Sequence, residues 1–90
     1  MENRIAVISV IVEEPASTDA LNFLLSSYKD YIVGRMGIPY KACDVSIICV
    51  AVDAPQDVIA ALSGKIGSLT GISSKTAYSN VIHKTEGTAC

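Results

Sequence analysis

The residues with most to say about chemistry sit in "GRMG", Gly34-Arg35-Met36-Gly37, inside the extended run "YIVGRMGIPY" (31–40). Glycines let a backbone approach a ligand or another chain, and an arginine pairs with an anion. The same four residues also suit tight packing between subunits, since interfaces are enriched in Arg and Met. Glu13 and Glu14, with Asp53, form a second group at two strand-to-helix turns. Paired carboxylates can move protons or hold a hard cation. Helix N-termini favour acids on electrostatic grounds alone, and that is the expected reason for these. His83, Cys43 and Cys90 are the remaining soft donors. Their spacing matches no metal or redox motif, so no metal, cofactor or disulfide is expected. Cys49 reads as a small buried apolar residue. No glycine pattern of a nucleotide loop is present, and nothing around the single histidine suggests a nucleophile–base pair, so no catalytic residue is assigned.

Hydrophobic patterning supplies the elements that position these groups. Residues 5–12 are an apolar and β-branched run with only Ser9 as a polar break, and 45–52 form a second strand-like run. Both read as central strands. Pro15 and the Ser17-Thr18-Asp19 cluster open a helix whose apolar stripe is Ala20, Leu21, Leu24, Leu25 and Tyr28, with Asp30 closing it. Pro55 opens a second, with Val58, Ile59, Leu62, Ile66 and Leu69 as its buried stripe. Residues 31–40 and 72–78 complete four strands, and 41–44 are a polar turn. The order is βαββαβ. An internal echo supports it: "SVIVEEP" (9–15) and "CVAVDAP" (49–55) each run from strand to acid to a helix-opening proline. Two such halves describe an α+β, ferredoxin-like βαββαβ sandwich, a four-stranded antiparallel sheet with two helices on one face. The echoing strands lie in the middle, and 31–40 is an edge strand that tolerates Pro39. Gly34 and Gly37 mark a bulge or a close approach.

Parity within the central strands points to assembly. If Ile8, Val10, Val12, Ile48, Val50 and Val52 face the helices, then Val7, Ile11, Val45, Ile47 and Cys49 lie on the other face. A sheet with one wet face normally alternates apolar and polar residues. This one is apolar on both, so a homo-oligomer, dimer or tetramer, is expected to cover the second face. Half the residues are hydrophobic and net charge is −2. The seven Lys and Arg are scattered, which disfavours direct nucleic-acid binding. No apolar run approaches the ~18 residues of a membrane helix and no signal core is present, so a cytoplasmic chain is expected.

Three runs, "YIVGRMGIPY" (31–40), "VDAPQDVIAALSGKIGSLTG" (52–71) and "KTAYS" (75–79), resemble the small regulators of the iron-only hydrogenase system. The resemblance spans residues 4–81. It implies a fold similar to ACT-like regulatory domains and to the C-terminal sensing domain of the nickel-responsive repressor NikR. It also implies a sensing role, with a small-molecule effector or a hydrogenase maturation protein as partner. Residues 1–81 are then one ACT-like domain and 82–90 a flexible C-terminal tail. In ACT-like domains the first strand-to-helix loop often meets an effector, which makes Glu13 and Glu14 candidates beside Gly34, Arg35, Met36 and Gly37. Two departures stand out. Only four residues precede the first strand, so no counterpart of the DNA-binding part of NikR is expected. His83 is the only histidine, so a nickel site of that kind is not expected.

Overall fold

The computed structural model describes the backbone of residues 2–84 and the side chains of residues 2–81. Its order is β1 (Glu2–Val12), α1 (Thr18–Ser27), β2 (Ile32–Tyr40), β3 (Val45–Ala54), α2 (Gln56–Gly67) and β4 (Ile72–Lys84). The strands form one sheet in the order β2-β3-β1-β4, every neighbouring pair antiparallel. This is the expected ferredoxin-like arrangement, with the echoing strands central and β2 and β4 at the edges.

One side of the sheet carries the core. Ala6, Ile8, Val10 and Val12 of β1 and Ile48, Val50, Val52 and Ala54 of β3 are buried, and so are Leu21 and Leu25 of α1, Ile59, Leu62 and Ile66 of α2, and Ile72. Leu24, Tyr28, Ile32, Val58 and Leu69 pack around this cluster. Burying each large aliphatic side chain contributes on the order of 2 kcal/mol. The predicted helix stripes match except at Ala20, which is exposed.

Several boundaries differ from expectation. Helix α1 ends at Ser27 rather than Asp30. The Ser27 hydroxyl donates to the Phe23 carbonyl one turn back (3.1 Å), and Lys29–Tyr31 form a 3-10 turn. Ser17 precedes α1 without capping it; its Oγ donates instead to the Thr70 carbonyl (2.5 Å). Strand β4 continues past Tyr78, pairing Ile82 with Arg4, His83 with Asn3 and Lys84 with Glu2. It thereby enters the segment expected as a tail; residues 85–90, Cys90 among them, lie outside the described residues. The extension follows from β1, which begins at Glu2 and offers backbone groups that any non-proline residue can pair. Between Tyr78 and Ile82 the register shifts, so that three residues of β4 oppose Ile5 alone.

Candidate functional site

The face of the sheet away from the helices is where most of the candidates meet. Strand registers set its rows. Gly34 lies beside Ala51, then Val7, then Ala77. Met36 lies beside Cys49, Ser9 and Lys75, and Ile38 beside Ile47, Ile11 and Ser73. Tyr40 and Val45 close the apolar end. Across β2, β3 and β1 these three rows are uncharged and almost wholly apolar, and Lys75 on β4 is their only charge. Met36 is 59% exposed, Ile38 49%, Ile11 43% and Ile47 36%. Val45 and Cys49 are half-buried, so Cys49 belongs to this open face rather than to the core. Between the protruding side chains lies a shallow depression of ≈ 330 Å³, lined by Val7, Gly34, Arg35, Met36, Cys49 and Ala51.

The four residues of "GRMG" do not act together. Gly34 and Met36 belong to the open face, whereas Arg35 and Gly37 pair with Val50 and Ile48 and share their helix-side face. Arg35 donates from Nη2 to Asn22 Oδ1 of α1 (3.1 Å). A β-bulge displaces the register between Ile32 and Gly34, placing the irregularity at Val33. Neither glycine is demanded by its own subunit. A Cβ at Gly34 would meet nothing within 4 Å, and one at Gly37 only Ile48 Cγ1 at 3.9 Å. Gly71 is the contrast. Its φ is +69°, and a Cβ there would clash with Glu14 Cβ. Its carbonyl accepts from the amides of Glu13 (2.8 Å) and Glu14 (3.3 Å).

Glu13 and Glu14 are therefore clamped beyond the end of β1, next to the entry of β4 and away from Gly34 and Met36. A second depression, of ≈ 190 Å³, brings Pro15 and Thr18 beside Pro39, Tyr40, Lys41 and Asp44, but Glu13 and Glu14 do not line it. Sequence reading missed this cleft. Asp44, which lines it, closes the β2–β3 turn with φ +56°. At the opposite end of the sheet Arg4 donates to Gln56 Oε1 (2.8 Å) and to the Ser79 carbonyl (3.1 Å), and its guanidinium lies 5.0 Å from the Tyr78 ring centre. These contacts brace β1 against α2 and β4. Among the described residues Cys43 and Cys49 are free thiols, and no three of His, Cys, Asp and Glu come together as a metal site. No helix among them is long and apolar enough to cross a membrane.

Residues 4–76 match the model of the TM1266-like family, described as an iron-only hydrogenase system regulator. The chain belongs to this family. Its fold is that of TM1266 from Thermotoga maritima, at 28% identity and a TM-score of 0.81 over 84% of this chain and 96% of that one. A formyltetrahydrofolate deformylase from Pseudomonas putida KT2440 shares the fold at 13% identity and a TM-score of 0.62. It aligns with 86% of this chain but only 29% of the deformylase, so the likeness concerns architecture and not chemistry. No curated protein matches the sequence.

Proposed function

We propose that this TM1266-like chain is a non-enzymatic regulatory component of the iron-only hydrogenase system that works as a homo-oligomer. The observation carrying this reading is the open face: in a chain of 90 residues, three adjacent strands present Val7, Ile11, Met36, Ile38, Val45 and Ile47 with no charge among them. Exposed apolar patches of this kind mark interaction sites. A small effector bound against the assembly would shift it between states by binding one of them more tightly. A hydrogenase maturation protein, or a partner that itself contacts DNA, would read the shift.

Thermal-shift screening of metabolites tests the sensing half. A specific effector raises the melting temperature by mass action. If no compound does so while the oligomer persists, the chain is a docking adaptor for a maturation protein. The size of the depressions favours that second reading, since one of ≈ 330 Å³ sits at the lower limit of typical ligand pockets. Light scattering of Ile47→Asp tests the assembly half. The substitution should give monomers or insoluble protein, and a wild-type monomer at micromolar concentration would refute the oligomer.

A further inference from the structure

Two cations meet at one hollow on the helix side of the sheet. A depression of ≈ 200 Å³ lies between α1 and β2, lined by Leu25, Ser26, Lys29, Ile32 and Arg35. Leu25 is buried and Ile32 half-buried, which gives it an apolar floor. Ser26, Lys29 and Arg35 are exposed around it. No acid lines it: Asp30 follows Lys29 in the chain but is not part of the wall. Among the described residues neither Lys29 nor Arg35 pairs with an acid. Like charges lining one concavity add their fields and raise the local concentration of anions. The helix dipole accounts for one of the two cations. Lys29 follows the C-terminus of α1, where positive charge is favoured. Arg35 has no such reason. It comes from β2, and its Nη2 donates to the side chain of Asn22 (3.1 Å), more than a turn before the end of the helix. That bond steadies the guanidinium over α1 and leaves most of its five N–H groups unused. The carbonyls near the helix end, which would repel an anion, are occupied. That of Phe23 accepts from the Ser27 hydroxyl (3.1 Å), that of Leu25 from the Tyr28 amide (3.1 Å) and that of Tyr28 from the Tyr31 amide (3.0 Å).

We propose that this hollow binds the phosphoryl group of a small phosphate monoester. Such a group carries about −1.5 to −2 charges at neutral pH, which two cations balance. The planar fork of Arg35 matches two phosphate oxygens at once, and Lys29 adds a point charge. The Ser26 hydroxyl is a further donor on the same wall. Leu25 and Ile32 offer apolar contact to the first carbons of the ester. The small volume suits a compact anion and leaves little room for a larger effector. The assignment rests on the sensing role proposed above and gives its effector a chemical class and a place.

Isothermal titration of the full chain at low ionic strength tests the site, with inorganic phosphate and glycerol phosphate as probes and acetate as the monoanionic control. Glycerol phosphate should bind saturably, once per chain and at least about tenfold more tightly than acetate. Added salt should weaken it, because both cations are exposed. Arg35→Gln and Lys29→Gln should each weaken binding at least about tenfold, with circular dichroism unchanged. Lys41→Gln, in the cleft at Tyr40, should leave it as it was. Tighter binding of inorganic phosphate than of the ester would overturn the monoester assignment. Binding that survives both the Arg35 and Lys29 variants, or no saturable binding at millimolar probe, would overturn the site itself. If an uncharged metabolite then raises the melting temperature, the sensing role stands without this site. If no metabolite does, the site and the sensing role fall together.

Discussion

The two edges of the sheet are finished in different ways. On β4, the helix-side residues Ser74 and Thr76 are half-buried, and Thr76 Oγ1 is hydrogen-bonded to Ser63 Oγ of α2. Lys75 charges the other face, and a bulge interrupts the strand after Tyr78. Charge, bulge and helix cover are the usual devices that keep an edge from joining another strand. On β2 the cover is thin. Arg35 reaches Asn22 of α1, but every residue after Ile32 is exposed, and the bulge lies at the start of the strand, before Gly34. A small domain that blunts one edge and leaves the other bare has an edge to use.

The largest effect that separates the two regions concerns glycine. Gly71→Ala must accommodate φ +69° and a clash with Glu14 at the junction of β1 and β4. It should cost about 2 kcal/mol or more of stability in urea denaturation. Gly34→Ala meets nothing and should stay within about 0.5 kcal/mol. Equal effects at the two positions would mean that β2 is as tightly specified as β4.

A middle-sized effect tests the guarded edge. Ser63→Ala removes the partner of the Thr76 hydroxyl and should destabilise the fold by about 1 kcal/mol without altering the oligomer in sedimentation. A change in oligomeric state would show that the β4 edge takes part in assembly.

The smallest effect belongs to Arg35→Ala. Its bond to Asn22 is exposed, so the subunit should lose no more than about 0.5 kcal/mol. If an anionic effector binds at Arg35, the same variant abolishes that effector's thermal shift while the oligomer survives. If Arg35 only packs between subunits, it weakens the oligomer and leaves any thermal shift in place.

The sequence made the sheet easy to read and the site harder. Residues 5–12 and 45–52 are long, mostly apolar runs rich in Val and Ile, so their place in the centre and their two faces are legible from the sequence. Pro39 marked the edge for a physical reason that the registers bear out. The side of the sheet on which Arg35 lies was not legible. Strand β2 lacks a clean alternation, and the bulge at Val33 resets its phase before Gly34. Gly34 and Gly71 also look alike in sequence. Only φ and the distance to Glu14 separate a glycine the fold requires from one it does not. The extension of β4 was hidden because its pairing uses backbone groups, which polar residues supply as well as apolar ones. The cleft at Tyr40, Lys41 and Asp44 is made by two turns distant in sequence, and no local pattern announces such a meeting.

Light scattering of the wild-type chain at micromolar concentration tests the central claim most directly. The uncharged apolar face of Val7, Ile11, Met36, Ile38, Val45 and Ile47 predicts a dimer or tetramer. A monomer at that concentration would contradict it.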